Sequence, residues 1–174
     1  MIDLIVFIAG SIIILSISRT SLTAPGTYQF YRTIVWEIIL VMFTINRNTW
    51  FMDPFTWNQW LSWILLVVSI ILLFEGIYFL RKFGKSKDPV EMTTELVIKG
   101  IYKHIRHPLY SSLLFLSWGI FFKSPSILDL VLTVLSTLFL IATTSADEKI
   151  SIDKFGDDYR TYMKSTKRFI PHLF

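Results

Sequence analysis

The chain has 174 residues, of which 53% are hydrophobic and 17% charged, and its mean hydropathy is +0.54. That balance excludes a disordered chain and an ordinary soluble domain. The lack of cysteine excludes disulfide staples, thiolate catalysis and cysteine-ligated metal centres. The small excess of 17 Lys and Arg over 13 Asp and Glu gives no reason to expect a nucleic-acid partner.

Residues 2–18 form a near-continuous apolar run, broken by Asp3, Gly10 and small hydroxyls and stopped by Arg19. No basic stretch precedes the run, so it is expected to stay as an anchor rather than to be a cleaved signal. Residues 33–45 predict a second span, extended backward through Phe30 and Tyr28 and carrying Glu37. Residues 61–80 supply about the twenty apolar positions that a bilayer crossing demands, and they end at Arg81 and Lys82. Residues 109–122 and 127–142 predict two more helices. The connection between them, Lys123-Ser124-Pro125-Ser126, is so short that they must run antiparallel as a hairpin. The expectation is an all-α integral membrane bundle of about five transmembrane helices. Its first part, 1–83, holds three spans, and its second, 84–174, holds a polar segment, the hairpin and a tail.

Charge placement predicts orientation. Segment 81–107 has seven Lys and Arg against three acids, and 147–174 has six against five, so together they hold 13 of the 17 basic residues. The positive-inside rule puts both in the cytoplasm, with the N-terminus outside and the C-terminus inside. Trp50, Phe51, Phe55, Trp57, Trp60 and Trp63 gather at the opposite end of the third span, as an interfacial aromatic belt would. Water-facing chemistry is therefore expected at the cytoplasmic face.

Two stretches carry chemistry. In the first, Leu96-Val97 and Gly100-Ile101-Tyr102 lead into Arg106-His107-Pro108-Leu109-Tyr110. Pro108 suits the first turn of a helix, where its missing N–H costs nothing, and the amide donors of that turn would make an anion site at the interface. The plainer reading is a set of basic and aromatic anchors at headgroup level. In the second, Asp147-Glu148 precedes Phe155-Gly156, Tyr159 and Arg168-Phe169-Ile170-Pro171, and the hairpin would return these acids to the face that holds His107. Acids favoured at an ordinary solvated helix end are the alternative.

In this order and spacing, the two stretches resemble the isoprenylcysteine carboxyl methyltransferases and their relatives, the phospholipid N-methyltransferases, over residues 94–171. The resemblance implies a helical membrane bundle that transfers a methyl group from S-adenosylmethionine to a lipophilic acceptor, an isoprenylcysteine-like carboxylate or a lipid headgroup reached through the bilayer. It implies a cytoplasmic-side cofactor pocket in 84–174 formed by Thr94, Glu95, Leu96, Val97, Tyr102, His107, Pro108, Leu109, Tyr110, Asp147 and Glu148. The chemistry is compatible: helix amides suit a carboxylate, an acid suits an ammonium or ribose hydroxyls, and tyrosine faces suit adenine or a sulfonium. Where isoprenylcysteine carboxyl methyltransferases carry an arginine four positions before the first acid, this chain has Thr143, so the guanidinium fork for an acceptor carboxylate is missing. A related C-terminal region in sterol reductases makes an NADPH-dependent membrane reductase a second possibility, and a non-catalytic membrane subunit is a third.

No catalytic base is identified. Glu37 and Glu75 fall inside predicted spans, about 8–9 Å from the cytoplasmic face, and are candidates for the acceptor cavity. Snorkelling or protonated glutamates packed against Arg32, Arg81 or a tyrosine are the alternative. His104 and His107 stand three apart, with His172 distant, and no carboxylate stands in ligand spacing with them, so no metal is expected. The expected partners are membrane lipids and a lipophilic acceptor.

Overall fold

The computed structural model describes residues 2–19, 22–85, 93–171 and 173. Among the described residues it contains six α-helices and no strand: α1 (Ile2–Ser18), α2 (Tyr28–Ile45), α3 (Trp57–Phe83), α4 (Pro108–Phe121), α5 (Ile127–Phe155) and α6 (Asp157–Ser165). Helices α3 and α5, of 27 and 29 residues, are long and apolar enough to cross a membrane, whereas α1 and α4 are shorter apolar helices.

Local chemistry sets the helix ends. The N-cap of α2 is Thr27, whose hydroxyl accepts from the Phe30 N–H at 3.3 Å, so the helix begins at Tyr28, as the backward extension through Phe30 and Tyr28 anticipates. Helix α5 outruns its apolar stretch 127–142 because no glycine or proline interrupts 143–155; it stops at Phe155, just before Gly156 at φ +59°. Helix α6 is short and strongly amphipathic, with Asp157 and Asp158 in its first turn, Lys164 in its last, and Tyr159 and Tyr162 buried. Its apolar positions are too few for hydropathy to reveal it.

The chain divides into two compact units. The first comprises 1–67 and 114–147, the second 68–113 and 148–174. In the first, α1 packs on α2, and the Ser11 hydroxyl donates to Glu37 Oε2 at 2.8 Å. This unit also holds a buried polar knot. Lys123 is 2% exposed, donates from Nζ to Gln59 Oε1 at 3.0 Å, and lies 3.5 Å from the centre of the Trp63 ring. Burial pulls its ammonium down to about 8, while the ring face and the amide oxygen favour the charged form. Nearby in sequence, Asn46 Nδ2 donates to Asp129 Oδ1 at 2.7 Å, and the Ser126 hydroxyl donates to Oδ2 of the same acid at 2.5 Å. Each buried polar group in the knot thus has a partner, which removes most of the cost of burying it. Thr143 is fully buried and turns its hydroxyl back to the Phe139 carbonyl at 2.7 Å.

The core of the second unit is Leu80, Val97 and Tyr102, with Phe79, Phe83, Ile101 and Leu109 against it. The Thr94 N–H donates to the Gly84 carbonyl at 2.8 Å, and the Tyr102 hydroxyl donates to the Gly76 carbonyl at 3.4 Å, so the stretch after residue 93 is folded back onto the end of α3. Gly100 turns the chain there at φ +58°, with the Phe79 ring lying over it. In both units large apolar side chains remain exposed, among them Ile5, Ile13 and Ile17 on α1 and Ile70, Ile71 and Phe74 on α3, as lipid-facing surfaces require.

Candidate functional site

The second unit brings the Arg106-His107-Pro108 stretch together with Glu148 and the C-terminal tail. Backbone pairing comes first: Arg106 N–H donates to the Lys167 carbonyl at 2.8 Å, Lys167 N–H to His104 at 3.1 Å, and His107 N–H to Arg168 at 3.3 Å, around an isolated parallel bridge between Ile105 and Lys167. The Ser111 hydroxyl lies 2.9 Å from the carbonyl oxygens of both His107 and Phe169. These contacts fasten the tail alongside the start of α4.

Side chains complete the cluster. Glu148 Oε1 is met by Arg106 Nε at 3.0 Å, His107 Nε2 at 3.3 Å and Arg168 Nε at 3.3 Å, and its Oε2 by Arg168 Nη2 at 2.5 Å. Arg106 Nη1 also donates to the carbonyls of Met163 and Thr166. The Glu148 and Arg106 side chains are 6% and 10% exposed. Three donors meet Oε1 and one meets Oε2, so both oxygens of Glu148 are engaged by the protein itself. The Tyr110 ring lies 5.7 Å from that of His107, and both residues are buried.

Of the other residues expected from the sequence, Val97 and Tyr102 are buried in the core and Pro108 is buried at the start of α4. Leu109 is half-buried, and Thr94 and Glu95 are exposed, with Glu95 paired to Lys85. Leu96 lines a cavity of about 630 Å³ together with Lys103, Asp158, Thr161, Tyr162 and Thr166. That volume lies in the range of small-molecule sites, but Leu96 is the only expected site residue on its wall. Burial raises the Tyr162 hydroxyl above its ordinary range, and it donates to the Tyr102 carbonyl at 2.7 Å. Asp147 and Glu37 are half-buried in the first unit, whereas Glu75 is exposed on α3 in the second. His104 is exposed, and His172 lies outside the described residues.

Residues 57–157 match the family model described as phospholipid methyltransferase. The chain belongs to that family. It is 29% identical over 169 residues to a methanethiol S-methyltransferase of Pseudomonas deceptionensis, covering 89% of this chain and 63% of that protein. It is 27% identical over 145 residues to methanethiol S-methyltransferase 1 of Bradyrhizobium diazoefficiens, covering 80% of this chain and 46% of that protein. A methanethiol S-methyltransferase of Pseudomonas sp. strain GM41(2012) is 25% identical over 158 residues. The chain thus spans about half to three fifths of the length of the curated relatives it matches.

The family match takes in Arg106, His107 and Glu148 but not Arg168. Arg168 is the partner that hydropathy and motif left out of the expected site. Its only sequence signal is its place in Arg168-Phe169-Ile170-Pro171 after the acidic pair.

Glu148 stands beyond the apolar stretch of α5, and its electrostatics give a pH prediction. Burial alone would raise its carboxyl, but the hydrogen bonds and charges of His107 and Arg168 outweigh burial and hold it at about 2, against an ordinary 4.5. A depressed carboxyl contributes stability that is whole above the ordinary value and lost as pH falls through the folded one. Thermal melts are therefore expected to drop between pH 4.5 and about 2, by on the order of 3 kcal/mol in total. Glu148→Gln should lack that drop, and a wild-type curve that is flat over this window would refute the ion cluster.

Proposed function

We propose that this chain is an S-adenosylmethionine-dependent membrane methyltransferase whose acceptor is a small lipophilic thiol of the methanethiol class. The observation that carries the reading is the convergence of His107, the start of α4 and Glu148 in one unit, within the segment that matches a methyltransferase family. The names of the relatives support a thiol acceptor, as does Thr143, which supplies no cationic fork for an acceptor carboxylate.

The residues present fit the cofactor. The first turn of α4 offers backbone amides and the positive end of its dipole to a carboxylate, and the buried Tyr110 offers a ring face to a sulfonium or an adenine. Glu148 holds the surrounding wall in shape. Thr94, Glu95, Leu96, Val97 and Tyr102 form the proposed adenosine side. When bound, S-adenosylmethionine supplies an activated methyl group, so the protein has to align the acceptor and keep water out rather than generate an electrophile. The thiol must lose its proton to water for its sulfur to accept the methyl group, and S-adenosylhomocysteine leaves. The proposed placement is multi-pass, with five crossings, the N-terminus outside, and the C-terminus and cofactor pocket at the cytoplasmic face.

The test is direct. Purified protein in detergent, given deuteromethyl S-adenosylmethionine and methanethiol, is expected to yield deuterated dimethyl sulfide by headspace mass spectrometry. His107→Ala should lower the rate at least about tenfold, a loss equal to about 1.4 kcal/mol of transition-state stabilisation. Product from phosphatidylethanolamine but not from thiols would move the acceptor to lipid headgroups. No product from either acceptor class would overturn the reading.

A further inference from the structure

We propose that Arg168 is the binding residue for the α-carboxylate of the sulfonium nucleotide, an assignment that rests on the methyltransferase reading above. Three observations carry it. First, charge does not balance: the guanidinium groups of Arg106 and Arg168 share a single carboxylate, that of Glu148, in a setting where their side chains are 10% and 23% exposed. A surplus positive charge at a partly exposed guanidinium favours an anion beside it.

Second, the spare donors differ in exposure. Arg106 uses Nε on Glu148 and Nη1 on two backbone carbonyls, and Arg168 uses Nε and Nη2 on Glu148, so each keeps one terminal nitrogen for which the described residues supply no acceptor, and that of Arg168 lies on the more exposed side chain. A guanidinium anchored on one edge by a buried carboxylate is held in place to offer its other edge to a second oxyanion.

Third, position: the Arg168 carbonyl accepts the His107 N–H at 3.3 Å, which sets the residue against the start of α4. The dipole of α4 and the surplus guanidinium charge then favour an anion in the same place. Glu148 is a positioning residue in this arrangement, because both its oxygens are occupied by the protein.

The assignment is tested by calorimetry on the 174-residue chain in detergent with S-adenosylhomocysteine and its decarboxylated analogue, which differ only in the carboxylate. The unsubstituted protein is expected to prefer S-adenosylhomocysteine at least tenfold. Arg168→Gln should bring that preference to within about twofold while binding the decarboxylated analogue as before, and Arg168→Lys should keep part of it. A preference that survives intact in Arg168→Gln would overturn the assignment and leave the methyltransferase reading standing. Loss of the decarboxylated analogue as well would mean that Arg168 holds the fold rather than the ligand, which also overturns it. Failure of the unsubstituted protein to bind either compound would end both.

Discussion

Glu148→Ala is expected to lower the thermal midpoint by about 10 °C and to abolish binding of S-adenosylhomocysteine. Removing one partner of a buried ion cluster costs about 3–5 kcal/mol, because the charges left behind lose their counter-ion and stay out of water. Here two guanidinium groups, one of them 10% exposed, would face each other with no carboxylate between them. In a domain of this size each kcal/mol moves the midpoint by about 2–4 °C. The matching control is Glu95→Ala, which removes the partner of Lys85 at a site where the two side chains are 71% and 52% exposed. Exposed pairs contribute at most about 1 kcal/mol, so that variant should melt within a few degrees of the parent. Differential scanning fluorimetry separates the two cases, and similar shifts for both would show that the Glu148 cluster does not hold the second unit together.

Gly100→Ala carries the second large effect. At φ +58° an alanine costs about 1 kcal/mol in backbone strain, and its Cβ would overlap the Phe79 ring, which stacks on Phe83 in the core of the second unit. The ring has to leave its place, so a total loss of about 3 kcal/mol is expected. Gly156 gives a backbone-only comparison: at φ +59° and ψ −131° an alanine is strained, but a Cβ there would meet nothing within 4 Å. Gly156→Ala should therefore lose only the backbone part, and Phe79→Leu should recover some of the loss in the Gly100→Ala background. A Gly100→Ala loss that Phe79→Leu leaves unchanged would refute the close approach of Phe79.

The helices were legible because apolar runs bounded by charge or proline are written locally in the chain. Residues 2–18 and 127–142 mark α1 and the first half of α5 in this way. The stretch beyond Ala142 was not legible, since a polar helix is recognised only by the absence of breakers before Gly156, and α6 has just nine residues. In the candidate site, the nearness of His107 to Glu148 came from antiparallel hairpin geometry together with a motif at each end. The saturation of Glu148 was hidden, because Arg168 stands twenty residues away and reaches the acid through backbone pairing between 105 and 167 that no periodicity announces. Lys123 was equally hidden: a loop lysine next to Pro125 looks solvated until Gln59 and Trp63 are seen to enclose it.

The central claim is that the start of α4, with the ion cluster behind it, holds a sulfonium nucleotide. Titration of the purified chain with S-adenosylhomocysteine tests it most directly. The account predicts one saturable site with micromolar affinity, weakened at least tenfold by Tyr110→Ala and left unchanged by Gln59→Ala. Heat no greater than that of dilution, or binding indifferent to both Tyr110→Ala and His107→Ala, would contradict it.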